Sequence, residues 1–187
     1  MNFQTILKNR RAIRDFQDKA VPLPVLQEII QDTCLAPTAS NNQPCRFVII
    51  QDRQCMKKLS DESKKNLLAV LMQNPDSAFA KYEATLRDEN FNVFYNAPCL
   101  VYIAGPNDVR SLDLDVALTA AYFMFSATSR GLGTCWVALG SQIRDRKTLD
   151  DLGVPEDCRI VAPIIIGYPT SIPAASERHT PNILKVI

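Results

Sequence analysis

A chain of 187 residues is the size of one domain and long enough to bury a core. Its 21 Lys plus Arg against 20 Asp plus Glu leave a formal charge of +1, which gives no overall field for holding a polyanion and argues against nucleic-acid binding. No apolar run reaches the roughly 18 to 20 residues of a membrane span, and the polar, basic stretch Met1 to Arg11 is unlike a secretory leader, so a cytoplasmic protein with no membrane partner is expected.

Along the chain, Phe3, Ile6 and Leu7 predict a short helix over Phe3 to Asn9, followed by an extended stretch from Arg10 to Phe16. Pro22 and Pro24 open a second helix with Leu26, Ile29, Ile30 and Thr33 on one face, ending near Ala36-Pro37 because a residue before proline disfavours the helical region. A polar loop, Thr38 to Gln43, leads into an apolar strand, Phe47 to Ile50. Asp52 to Leu71 reads as one or two helices burying Met56, Leu59, Leu67, Leu68 and Leu71. Asn74 to Asn96 reads as a mobile helical segment or loop carrying Phe79, Tyr82, Phe91, Phe94 and Tyr95.

Pro98 precedes a strand over Cys99 to Ala104. Asp113 to Arg130 is the longest helix candidate, with Leu114, Ala117, Leu118, Ala121 and Phe125 at spacings of three and four. From Val116 to Ala127 it is apolar nearly all round, which predicts a central position. Gly131 and Gly133 stop it, and Thr134 to Leu139 reads as a strand. A short helix, Lys147 to Leu152, and a strong strand, Arg159 to Gly167, follow before the tail from Thr170 to Ile187. Ile183, Leu184, Val186 and Ile187 in that tail need a packing partner. Helices and strands mix without βαβ alternation, which predicts one α+β domain over residues 1–187.

The six cysteines (Cys34, Cys45, Cys55, Cys99, Cys135 and Cys158) contain no C-x-x-C pair, which removes zinc-ribbon and redox-dithiol spacings. They are expected to be buried or partly buried free thiols. His179, in the tail, is the single histidine. Any Ser–His or Cys–His dyad would have to use it, a multi-histidine metal site is excluded, and enzyme chemistry is left to a cofactor.

Three segments are candidates to hold one. Arg10, Arg11 and Arg14 fall within five residues, and guanidinium forks match phosphate oxygens; the plain alternative is a solvated basic face. Ile13 and Phe16 are placed to anchor that segment on the core. Ala36-Pro37-Thr38-Ala39-Ser40-Asn41-Asn42-Gln43-Pro44 offers amides and hydroxyls for the polar edge of a heteroaromatic ligand, unless it is only a turn. Gly131-Leu132-Gly133-Thr134-Cys135-Trp136 joins helix to strand, but Trp136 stands where a dinucleotide fingerprint needs its third glycine, and the chain has no P-loop.

Together these segments resemble the FMN-dependent nitroreductase family. Arg10-Arg11-Ala12-Ile13-Arg14-Asp15-Phe16 is similar to its R-R-S-I-R-x-F opening, and Ala36 to Phe47 to its A-P-S-A-x-N-x-Q-P-W-x-F segment. Asn96-Ala97-Pro98, Gly131 to Trp136 and Gly167-Tyr168-Pro169 complete the set in order along nearly the whole chain. The resemblance implies an α+β sandwich with a central, mostly antiparallel sheet flanked by helices, in an intertwined homodimer with FMN at the subunit interface and the tail, about residues 170–187, over the partner. It implies that Arg10, Arg11 and Arg178 hold the phosphate, with Ala12 in the same segment, and that Arg14 meets the pyrimidine edge. Pro37, Thr38, Ala39, Asn41 and Gln43 would serve the flavin held mainly by the other subunit, and Gly133, Thr134, Cys135 and Trp136 would line the ring and substrate face.

The implied reaction is ping-pong hydride transfer from NADH or NADPH, through FMN, to a small electron-poor acceptor such as a nitroaromatic or quinone, with no catalytic side chain required. Alternatives on the same fold are a reductive dehalogenase, a flavin-modifying enzyme or a non-catalytic flavin-binding dimer, with substrate choice in a lid over Asn66 to Tyr95. Departures from the pattern are Ala12 for serine, which removes a hydroxyl donor at a cost of about 0.5–1.5 kcal/mol, Cys45 for tryptophan, Tyr122 for asparagine, and Arg178 as the tail's sole arginine.

Overall fold

The computed structural model describes residues 2–187. Helix α1 (Phe3–Asn9) begins where the Asn2 side chain accepts from Thr5 N, and α2 (Leu23–Thr33) uses Pro24 in its first turn, where a missing N–H costs nothing. Strand β1 (Arg46–Ile50) is followed by α3 (Arg53–Gln73), a single 21-residue helix capped by Asp52 through Cys55 N. A short helix α4 (Glu83–Arg87) and strand β2 (Cys99–Pro106) lead to α5 (Leu112–Ser129), β3 (Gly133–Trp136), α6 (Arg146–Asp151) and β4 (Cys158–Gly167).

The four strands form one sheet in the order β1-β2-β4-β3, every pair antiparallel. Both faces of its centre are buried, because alternate residues of β2 serve different cores. Leu100 and Tyr102 join Met56, Leu59, Leu67, Leu71, Leu86 and Phe94 on the α3 side. Cys99, Val101 and Ile103 join Leu26, Ile29, Val116, Ala120 and Phe123 under α2 and α5. The α2 face expected from sequence is the buried one, with Leu26, Ile29 and Thr33 inaccessible.

Three expectations are corrected. The stripe Leu114, Ala117, Leu118 is on the outside of α5: Leu114 is 72% and Leu118 45% exposed, while Leu112, Val116, Thr119, Ala120, Phe123 and Ala127 face the sheet. A helix apolar on every side offers two valid stripes, and periodicity cannot choose between them.

Strand β3 stops at Trp136 instead of Leu139, because residues 138–141 turn into a 3-10 helix. Tyr102 Oη donates to Gly140 O at 3.0 Å, Ser63 Oγ donates to Leu139 O, and Phe94 packs so close to Gly140 that no Cβ fits. Residues 66–95 are not a single lid. Asn66 to Gln73 belong to α3 with Leu67 and Leu71 in the core, and Leu86, Val93 and Phe94 are also buried.

The N-terminal segment runs along the free edge of β3. Ala12 makes a parallel bridge to Thr134, Ile13 N donates to Thr134 O at 2.9 Å, and Phe16 bridges to Pro169. Buried Ile13 sits directly on Gly133, where a Cβ would approach three Ile13 carbons at 2.6–2.9 Å, so only glycine permits this spacing. At the end of α5, Gly131 adopts φ 76° and lets Leu132 N close on Ala127 O.

Helices α2 and α5 are tied by Asp32, whose Oδ2 accepts from Ser126 Oγ and Arg130 Nη1, both at 2.7 Å. The Ser126 bond and then the Arg130 guanidinium hold its carboxyl below the usual value of 3.8. A depressed folded value means that the stabilisation is present above pH 3.8 and is lost as pH falls through the lower folded value. Asp32→Asn is expected to lower Tm at pH 7 by about 2–4 °C, given a half-exposed pair worth at most about 1 kcal/mol. In a Tm–pH series the gap to wild type should close below pH 3.8. Phe94→Ala, which empties a fully buried ring packed edge-on to Tyr102, should cost about 3–5 kcal/mol in urea unfolding.

Candidate functional site

Cavities flank the extended segment beside β3. The first, of about 570 Å³, is lined by Leu7, Lys8, Arg10, Arg11, Ala12, Ala175, Ser176 and Arg178. Sequence positions 168 apart, Arg10 and Arg178, thus meet in one hollow, as do Arg11 and Ala12. No carboxylate lines it, and Arg10 and Arg178 form no ion pair among the described residues. Arg11 Nη1 donates to Lys8 O at 2.6 Å and Arg10 O at 2.8 Å, while its Nε is buried with no partner. A set of cations, a hydroxyl at Ser176 and a donor left unsatisfied by the protein fits a phosphate.

The second cavity, of about 250 Å³, holds Arg14, Phe79, Tyr82, Tyr95, Cys135, Trp136 and the residues that follow to Leu139. Its walls are flat rings, its cation is Arg14, and the Arg14 guanidinium lies 5.6 Å from the centre of the Tyr95 ring. Burial pushes the Cys135 thiol above its ordinary pKa, opposed by the nearby positive charges of Arg14 and Arg10, so the sulfur remains a neutral wall group at pH 7. This hollow suits a planar ring system whose charged edge meets a guanidinium.

The loop after α2 is a separate place. Thr38 and Gln43 line a small cavity of about 110 Å³ with Thr33, Cys34, Ala36, Cys45, Phe47 and Thr119, and no residue is shared with the other two. Ser40, Asn41 and Gln43 all have positive φ, 48–56°, a costly backbone for residues with a Cβ. Thr38 Oγ1 accepts from Gln43 N, and Gln43 Nε2 donates to Asn41 Oδ1. Pro37, Ala39 and Asn41 line none of these hollows. Gly133 faces a 100 Å³ crevice with Arg11 and Ile13, while Thr134 is 1% exposed with Oγ1 unpaired and its carbonyl holding Ile13.

The motifs did not mark Asp115 or the ring walls Phe79, Tyr82 and Tyr95 as site residues, although Trp136 was expected there. Buried Asp115 accepts from Ala39 N at 2.8 Å through Oδ1 and from Ser111 Oγ at 2.8 Å through Oδ2, fixing the strained loop to α5. No sequence signal marked Asp115, because periodicity leaves open which stripe of α5 faces the core. Phe79, Tyr82 and Tyr95 come from the segment without periodicity, and nothing local tells which of its rings face a cavity. All six cysteines are free; Cys34 is exposed, against expectation, because it caps the end of α2, while Cys99, Cys135 and Cys158 are buried. No group of three or more metal-ligating side chains occurs among the described residues, and no helix there is long and apolar enough to cross a membrane.

The chain and its fold have counterparts. The chain is 27% identical over 217 aligned positions to the 4-nitrobenzoate reductase of Pseudomonas putida, which covers 99% of this chain and 90% of the relative. It is 26% identical over 183 positions to a Bacillus subtilis protein provisionally named NAD(P)H nitroreductase YfhC, covering 92% and 87% of the two chains. Among solved structures, a Bacteroides fragilis nitroreductase with bound FMN has the same fold, with TM-score 0.82 at 21% identity over 100% of this chain and 99% of that one. The nitroreductase family model matches residues 7–168, from within α1 to just past the end of β4, and the chain belongs to that family.

Proposed function

We propose that this protein is an FMN-dependent oxidoreductase that takes electrons from NADH or NADPH and reduces small, flat, electron-poor acceptors such as nitroaromatics or quinones. The carrying observation is the convergence of Arg10, Arg11, Ser176 and Arg178 around a cavity without a carboxylate, next to a ring-walled hollow containing Arg14. When bound, FMN supplies the redox chemistry, accepting a hydride equivalent and passing it on. Arg10, Arg11 and Arg178 would hold its phosphate by charge-assisted hydrogen bonds. Arg14 would sit at the ring edge, where charge appears on reduction, and Cys135 and Trp136 would form the wall that excludes water. None of the chain's groups is needed as acid or base, which agrees with His179 lying exposed in the tail.

A pair of chains completes the reading. Residues 181–187 are exposed throughout, including Ile183 at 72%, Leu184 at 91% and Val186 at 85%, and the outer face of α5 exposes Leu114, Leu118 and Tyr122. Apolar surface of that extent is stable in water only when another surface covers it. A homodimer in which each tail crosses its partner would cover it and bring the loop from Pro37 to Gln43 to the other subunit's flavin.

The protein should purify yellow or bind FMN stoichiometrically, and the bound flavin should bleach on anaerobic addition of NADH or NADPH. A colourless chain that FMN neither binds nor stabilises against heat would refute the assignment and leave a non-catalytic dimer. Arg178→Ala should weaken FMN about tenfold to hundredfold, as expected for one or more charge-assisted bonds, but leave riboflavin, which has no phosphate, nearly unaffected. Removal of residues 181–187 should convert a dimer to a monomer in light scattering, and an unchanged mass would reject the crossing tail.

A further inference from the structure

We propose that Tyr95 is a positioning residue that fixes the Arg14 guanidinium at the edge of the flavin and thereby sets how strongly the reduced ring is held. The inference rests on the flavin-binding reading above and adds a residue that the family motifs do not include.

Arg14 is exposed and has no carboxylate within ion-pair distance among the described residues. What engages its guanidinium is the Tyr95 ring, 5.6 Å from carbon to centroid, a cation–π distance. Both side chains line the ring-walled cavity with Cys135 and Trp136. A long flexible cation facing water would otherwise sample many rotamers and spend little time at any one place.

Tyr95 is itself held unusually. Its φ is 53° and that of Asn96 is 52°, two consecutive left-handed residues, neither of them glycine. Such a backbone is disfavoured for an aromatic residue and persists only where the surroundings impose it. Here they do. Phe94 and Ala97 on either side are buried, and Tyr95 N donates to Asn92 O and Ala97 N to Phe94 O. The Asn92 side chain accepts from Phe94 N and donates to Asn96 Oδ1, stapling the turn. Phe91 meets the Tyr95 ring edge-on, centroids 5.7 Å apart at 86°, and fixes the ring plane. The strained turn thus presents one aromatic face to Arg14 from a rigid base.

Two-electron reduction with uptake of one proton leaves a negative charge on a flavin ring. A fixed guanidinium favours that state over the neutral oxidised one, and a wandering guanidinium favours it less. Cys135, neutral beside Arg14, does not cancel the charge.

The test is an anaerobic redox titration of the FMN-loaded protein, with FMN affinity measured alongside. Tyr95→Leu removes the π-face. Tyr95→Gly does the same while suiting the left-handed backbone, so the ring is deleted in one variant without added backbone strain. Either should reduce the ratio of reduced to oxidised FMN affinity about twofold to fivefold, the span of a cation–π contact at an exposed site. Tyr95→Phe, which keeps the ring, should remain close to wild type. Arg14→Leu should shift the ratio at least as far, and adding Tyr95→Leu to it should change nothing more.

An unchanged ratio in the ring-deleted variants, with Arg14→Leu shifted, overturns the inference alone. So does a double variant in which the two effects add, since the ring would then act independently of the guanidinium. A wild-type chain that binds no FMN overturns the functional reading, and this inference with it.

Discussion

The seating of Ile13 on Gly133 is the contact on which the site depends. It lets an irregular N-terminal segment lie against the edge of β3 as if it were another strand, with Ile13 N bonded to Thr134 O. With Ile13 buried, the residues on either side of it are held at this edge of the sheet. Arg10, Arg11 and Ala12 border one hollow and Arg14 borders the next. A methyl group at position 133 would push the segment outward by displacing carbons close to the Ile13 backbone, which cannot swing aside as a long side chain could. The phosphate-type and ring-type hollows are therefore aligned by one small residue in the sheet.

The second constraint is electrostatic. The cations of the first hollow face one another with no acidic side chain among the lining residues, an arrangement that repels itself in a ligand-free chain and is relieved by an anion. The chain does pair other arginines: Arg130 with Asp32, Arg159 with Asp113, Arg146 with Asp150. The first two pairs tie α5 to α2 and to β4, and the third lies along α6, whereas Arg10, Arg14 and Arg178 form no ion pair among the described residues.

Much of this was legible in residue order. The spacing of Leu26, Ile29 and Thr33 identified the buried face of α2, and the apolar run at Phe47 to Ile50 marked a strand that pairs with β2. The motif set placed Arg10 and Arg178 together, although no local rule links the two ends of a chain; the meeting is a property of the whole fold. What failed failed for definable reasons. The extent of β3 depends on Tyr102, Ser63 and Phe94, which act from other elements on residues 138–141. The inward side of α5 depends on which stripe meets the sheet. Residues 74–96 carry no period, so the roles of Phe94 in the core and Tyr95 on a cavity wall, one position apart, were hidden until the left-handed turn at 95 and 96 was seen.

The departures from the family pattern also fall into place physically. Ala12 sits in the arginine-lined hollow and offers no hydroxyl, but Ser176 from the tail lines the same hollow and brings one. Cys45, where the pattern has a tryptophan, turns its sulfur to Thr119 Oγ1 at 3.3 Å and leaves the 110 Å³ cavity under the loop. Burial raises the Cys45 pKa, partly offset by the Thr119 hydrogen bond, and so disfavours the thiolate. Tyr122 is 40% exposed on the outer face of α5, beside Leu118. There it contributes to the apolar surface that a second chain would cover, and its ring is more useful at such an interface than an asparagine amide, because it adds apolar area while its hydroxyl can remain wet. The substitutions thus move hydroxyl and apolar groups to new positions around the proposed flavin without breaking the arginine framework that would hold it.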